Sequence, residues 1–240
     1  MVFSGALLKE YSNFVDMYTA KGKVMYKGCV KALNRCKLNG RVDTVWRQTL
    51  ELDDGVKPIW RVLYKPPIKK RTGDLQWRIL HGVIAVNSFI SMINPTVSSS
   101  CPFCDKVETI FHCFYECKRL CNLFNVLENM FLLFGEEWSK TVFILGAGYS
   151  NSNSVKWQLL NLIVGEAKLS IYCSRKNKVE GKEGQEAVPI FRALMKARIW
   201  VEYRFFKEMN DIDEFMRKWC YDDALCSVVN DELIFNLFFR

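Results

Sequence analysis

Histidine is scarce in this chain of 240 residues: only His81 and His112 are present. With one of them committed to a metal, as argued below, a cysteine-protease reading would rest on His81 with no assigned nucleophile. Other signatures are missing outright. There is no Gly-x-x-x-x-Gly-Lys phosphate loop, no Gly-x-Ser-x-Gly elbow and no His-Glu-x-x-His helix. A polymerase needs paired aspartates for two metal ions, usually in an aromatic-x-Asp-Asp hairpin. In Tyr221-Asp222-Asp223 the aromatic adjoins the pair and Cys220 stands where it is required, so both acids read as surface groups. No uncharged apolar run approaches the ~18–20 residues of a membrane span, and Ala6-Leu7-Leu8 is too short for a secretory leader. The expectation is a soluble intracellular protein of the nucleus and/or cytoplasm. It should have no membrane contact, no small-molecule substrate and no catalysis of its own.

Apolar residues and rings, by contrast, are plentiful. Half of the chain is hydrophobic and 14% aromatic, which argues for a folded protein with one or two cores. Ten cysteines without a signal peptide point to a reducing compartment, where thiols bind metal instead of pairing. The net charge of +8 is uneven. From Lys57 to Arg71 there are six basic residues (Lys57, Arg61, Lys65, Lys69, Lys70, Arg71) and no acid, while acids dominate after Glu208. A basic front and an acidic rear suit a polyanionic partner for the first half.

The densest chemistry lies between Cys101 and Cys117. Cys101, Cys104, His112 and Cys117 are spaced Cys-x2-Cys-x7-His-x4-Cys, as in a tetrahedral metal site. Three thiolates and one imidazole favour Zn²⁺ and disfavour Mg²⁺ or Ca²⁺. No fifth ligand offers a seat for an activated water, so the spacing predicts a closed, structural site. The alternative is four buried side chains in an apolar core. Cys113 follows His112 directly and should point off the metal face, whereas Cys121, four residues past Cys117, is the more credible substitute ligand.

These residues also carry a resemblance. Trp77-Arg78-Ile79-Leu80-His81-Gly82, Cys101-Pro102-Phe103-Cys104 and the run Glu108-Thr109-Ile110-Phe111-His112 through Cys117 closely resemble one module. It is the zinc-binding domain that follows the polymerase in reverse transcriptases of non-LTR (LINE-type) retrotransposons. The specific match covers about residues 57–135, and the segment from Ala167-Lys168 to Arg175 is loosely similar to the tail of fish-type elements. The resemblance implies a module that binds template RNA or target DNA beside a polymerase, not a chain that polymerises.

Taken in order, the chain reads as mainly α. Residues 1–56 form an N-terminal helical region, with amphipathic helices at 7–18 and 24–37 and a third around Val45, Trp46 and Leu50. One side of the second helix bears Lys27, Lys31 and Arg35, a solvated or phosphate-contacting face. Residues 57–75 form a basic, proline-rich arm. Pro58, Pro66 and Pro67 forbid a continuous helix there, so an extended run is expected that alternates Trp60, Tyr64 and Ile68 with cations. Such interleaving serves single-stranded nucleic acid; alternatively the arm is a linker whose rings plug the next core.

Residues 76–145 hold the zinc-binding module. Its helix is capped by Thr72 or Asp74, and its helix after Cys117 carries an apolar stripe through Leu123, Leu127 and Phe131. Thr141–Leu145 reads as a short strand, and 146–154 as a linker. Residues 155–240 form a C-terminal helical region with an apolar tail at Leu233–Phe239. The expected nucleic-acid contacts are Lys65, Lys69, Lys70 and Arg71 to phosphates, with Trp77, Arg78 and His81 at bases; an ordinary core role remains open for His81. The expected partners are RNA and/or DNA and a reverse-transcriptase polymerase domain. The rival is a zinc-stabilised protein-interaction domain that contacts a polymerase or itself.

Overall fold

A computed structural model describes residues 44–58, 60–147, 154–182 and 186–239. The two helices expected at 7–18 and 24–37 lie outside the described residues. Val45–Arg240 make up one compact unit. Its helices are α1 (Lys70–Leu80), α2 (Asn87–Ile93), α3 (Cys121–Leu133), α4 (Lys140–Leu145), α5 (Val155–Val179), α6 (Ala187–Glu208) and α7 (Ile212–Trp219). An antiparallel hairpin follows, β1 (Cys226–Val229) and β2 (Glu232–Phe235), with Cys226 opposite Phe235. The expected architecture is present: mainly helical, with a Cys-Cys-His-Cys cluster near the centre.

The long helix α5 is the axis. From Leu159 to Ile171 every residue is buried, the polar Asn161, Glu166, Lys168 and Ser170 included, because neighbouring elements enclose the helix on all sides. It packs against α1, α3, α6 and α7. α6 turns Phe191, Met195, Ile199, Tyr203 and Phe206 inward at helical spacing. α7 starts at Asp211, whose side chain accepts from the amide of Glu214 at 3.3 Å. α1 crosses α5 closely enough that a Cβ on Gly165 would stand 2.7 Å from Thr72 Cγ2. A Cβ on Gly73 would lie 2.3 Å from the carbonyl oxygen of Leu63. Both contacts need glycine for space. Among the described residues no helix is long and apolar enough to cross a membrane.

Several local expectations are corrected. Residues 45–51 form turns, not a helix. The segment expected to run extended contains a 3-10 helix at Trp60–Tyr64, with Val62 and Leu63 in the core. Its prolines do forbid a long α-helix, but five residues of tighter helix fit between them. α1 then starts at Lys70, ahead of both suggested caps. Thr72 is buried and donates to Glu166 Oε1 at 3.1 Å, and Asp74 accepts from the Tyr64 hydroxyl at 3.0 Å. Residues 140–145 are helical because Ser139 caps them through the amide of Val142 at 3.0 Å. Among the described residues no strand pairs with them, and burial of Phe143, Ile144 and Leu145 overrides their β propensity. The apolar tail is half strand, and Phe239 tucks into the core.

Candidate metal centre

Two short segments deliver the four candidate ligands. The first is a loop closed at its base by an antiparallel bridge between Ser100 and Val107. Within it the Cys101 amide donates to the Lys106 carbonyl at 2.8 Å, and the Cys104 amide to the Cys101 carbonyl at 3.3 Å, which turns both thiols the same way. The second is a wide turn of π-helix, His112–Glu116, in which the Cys117 amide reaches back to the His112 carbonyl at 3.0 Å. That i→i+5 bond accommodates the four residues between His112 and Cys117 while keeping both side chains on one side. Thr109 starts the turn by accepting from the His112 amide at 3.0 Å.

The ligand atoms of Cys101, Cys104, His112 and Cys117 all lie within 4.8 Å of one another, and Cys104 Sγ stands 3.2 Å from His112 Nε2. A tetrahedral zinc with Zn–S of about 2.3 Å and Zn–N of about 2.0 Å separates its ligand atoms by roughly 3.6–3.8 Å. The donor set and its spacing therefore fit zinc with sub-ångström to ångström adjustments. Cys101, His112 and Cys117 are buried and Cys104 partly so. Burial pushes the Cys101 thiol up to about 12, against a backbone hydrogen bond at Phe103 and with help from the Cys117 and Cys104 sulfurs. Burial also lowers the pKa of His112, which favours the neutral imidazole form that a metal requires. A cation that replaces the thiol protons removes the cost of leaving these groups inside. The closed set would make zinc a staple between the two segments.

The neighbouring thiols are sorted by position. Cys113 is buried against the apolar core and outside the cluster, and Cys121 is exposed on α3. Packing supports the centre from three sides. Trp46 is fully buried, donates from its indole to the Ile79 carbonyl at 2.9 Å and meets the Phe111 ring edge-on at 4.4 Å. Arg119 lies over the Phe103 ring at 4.0 Å, and its Nη1 is 3.4 Å from Ser174 Oγ. Glu108 is buried and takes Arg175 on both carboxylate oxygens. Burial opposes the charge on Arg175, but the hydrogen bonds and charge of Glu108 prevail and raise its pKa.

Two of these partners escape sequence spacing. Glu108 stands in the quoted motif but offers no pattern that names Arg175, 67 residues away, as its mate. Lys168 was equally illegible. It sits fully buried on α5, donating to Gln76 Oε1 and, at 3.0 Å, to the Ile144 carbonyl, and burial lowers its pKa well below the ordinary value. The signals for it were a lysine inside a largely apolar helical run and the loose similarity of the segment from Ala167-Lys168 to Arg175 noted above.

Five of the seven residues expected at nucleic acid share one face of α1 and its C-terminal end. Lys70, Arg71, Trp77 and Arg78 are exposed, with Asp74 and His81 half-buried on the same side. Thr72, Gly73, Leu75, Gln76, Ile79 and Leu80 face inward. His81 stacks on Trp60 with ring centroids 4.8 Å apart and also meets Trp77 at 4.3 Å. Lys69 is exposed just before the helix, and Lys65 is half-buried behind Pro66.

Comparison with known proteins agrees with this geometry. Residues 41–123 match a family profile described as zinc-binding in reverse transcriptase. The chain is 35% identical over 209 residues to the Transposon TX1 uncharacterized 149 kDa protein of Xenopus laevis. That alignment takes in 87% of this chain but only 16% of the longer protein. No solved structure matches the chain significantly. Residues 41–123 thus carry a match to the zinc-binding domain of reverse transcriptases, within a chain that is similar to part of a transposon protein.

Proposed function

We propose that this region binds nucleic acid without catalysis, with the exposed face of α1 as its contact surface, and so positions template RNA or target DNA for a polymerase. The observation that carries the reading is the composition of that face: three cations, an open Trp77 ring (42% exposed) and the half-buried His81 ring, with Asp74 as its one acid. The start of α1 adds to it. Lys69 precedes the helix with no side-chain cap, and no acid stands in the first turn. Cations at a helix N-terminus oppose the macrodipole, each by about 0.3–1 kcal/mol. A phosphate bound there would relieve that repulsion and accept hydrogen bonds from the N–H groups of the first turn. The Tyr64 ring, 48% exposed, is tied to the same face through Asp74.

Filter binding to RNA and DNA oligomers across a salt series tests the proposal. Replacing Lys69, Lys70 and Arg71 with Ala should weaken binding alike for all sequences and flatten the salt slope by up to three ion equivalents, about 0.7–0.9 log units each. Trp77→Ala should cost about 1–3 kcal/mol on single strands if a base stacks there. Unchanged binding of the triple variant at every salt concentration would refute the assignment.

One observation favours the protein-contact alternative. α2 buries none of its residues and exposes Phe89, Met92 and Ile93, the last two at 74% and 71%. An apolar contact of that kind with a polymerase domain would be insensitive to salt, unlike phosphate binding.

A further inference from the structure

We propose that Arg175, beyond the segment matched by the zinc-binding family, is a positioning residue of the metal site, and that it couples zinc binding to the C-terminal helices through Glu108. The geometry is a clamp. Arg175 Nε donates to Glu108 Oε1 at 2.7 Å and Nη2 to Oε2 at 2.6 Å, a bidentate fork that fixes the carboxylate in direction as well as distance. The same Nη2 reaches Asn87 Oδ1 at 2.9 Å. Asn87 in turn donates its amide to Glu108 Oε2 at 2.7 Å and its side-chain nitrogen to the Ser100 carbonyl at 2.8 Å. Both charged side chains are almost wholly shielded from water, 8% and 1% exposed.

Glu108 sits between the two ligand-bearing segments and touches both. Its amide bonds to the Ser99 carbonyl at 2.9 Å, at the base of the loop that holds Cys101 and Cys104. Its next neighbour, Thr109, begins the turn that delivers His112 and Cys117. A carboxylate free to rotate at this junction would let the two pairs of ligands drift apart. Two further contacts lock the same stretch of α5 against the module and its approach. Arg119, which covers the Phe103 ring of the zinc loop, reaches Ser174, and Arg71 lies 3.6 Å from Cys173 Sγ. By linkage, whatever factor the clamp adds to zinc affinity, zinc adds equally to the docking of this stretch. The inference does not depend on the nucleic-acid reading.

Zinc affinity of the full chain, measured by competition with a chromophoric chelator, tests it, alongside the visible spectrum of the cobalt-substituted protein. Removal of groups that orient metal ligands typically lowers metal affinity about 10–100-fold. Arg175→Met should fall in that range and broaden or weaken the tetrahedral cobalt bands, while exposed Lys176→Met on the same helix should match the wild type. Glu108→Gln should lose a similar factor, and the double variant should be little worse than the poorer single one, because both act through one interaction.

Arg175→Lys guards against a folding failure. It keeps the charge and the stem but not the fork, so it should show reduced affinity with a native circular-dichroism spectrum. Hydrogen exchange supplies a second readout: chelation should speed exchange at 172–179 more than at 226–229. The proposal is overturned if Arg175→Lys binds zinc within about twofold of wild type, or if chelation leaves exchange at 172–179 unchanged relative to the hairpin.

Discussion

Stripping zinc from the purified chain, and asking which cysteine variants abolish the effect, separates metal ligation from simple burial. If zinc binds the folded chain alone, a free concentration 1,000 times the dissociation constant stabilises it by about 4 kcal/mol. For a unit of roughly 150–250 residues each kcal/mol moves the melting temperature by about 2–4 °C, so chelation should lower it by roughly 8–16 °C. Cys117→Ser should melt at a temperature that no longer responds to chelator, because one corner of the tetrahedron is lost. Cys113→Ser is the informative contrast. Its thiol is as buried as those of Cys101 and Cys117 but lies outside the cluster, so a buried hydroxyl there costs about 1–3 kcal/mol with and without metal. The increment from zinc should survive. Differential scanning calorimetry with metal analysis reads all of this. A wild-type melting temperature indifferent to chelator, or equal zinc increments in the Cys117 and Cys113 variants, would refute the assignment.

Gly73→Ala should destabilise the fold by about 1–3 kcal/mol in urea denaturation, because its Cβ would stand 2.3 Å from a backbone oxygen that has nowhere to move. Lys168 makes stability depend on pH at the alkaline end. Its folded pKa is depressed, so the contribution is full above the unfolded value of about 10.4 and is lost as pH falls toward the folded value, by up to about 1.4 kcal/mol per pH unit. Denaturation midpoints at pH 7, 8 and 9 should therefore rise for the wild type, and Lys168→Met should flatten the rise; parallel lines would contradict the depressed lysine pKa. Glu166 has the opposite sign. Burial raises its pKa against the Thr72 hydrogen bond, so its contribution is full below about pH 4.3 and falls as pH rises through the folded value. Glu166→Gln should remove that loss, visible as a smaller drop in stability from pH 4 to pH 7.

The Cys-Cys-His-Cys cluster, the helical character of the last third and the apolar stripe of α3 were legible in the sequence because each is a local pattern. Ligand spacing and a 3.6-residue period are fixed by covalent reach and helix geometry, whatever the rest of the chain does. That Lys70 and Arg71 join Trp77 and Arg78 on one outer helix face was not legible, because it depends on α1 beginning at Lys70, inside the stretch expected to be an extended arm. Nor was the conformation at 60–64 and 140–145, since propensity alone could not show that Val62, Leu63 and Phe143 would be taken up by the core. Spacing already sets Cys113 off the metal face but keeps Cys121 as a substitute ligand; only the tertiary structure, which exposes Cys121 on α3, removes it from the cluster as well. The pairing of Glu108 with Arg175 and the burial of Lys168 belong wholly to tertiary structure. Each depends on which helices meet across 24–92 residues of chain, and a buried charge or amine becomes tolerable only once those distant partners arrive.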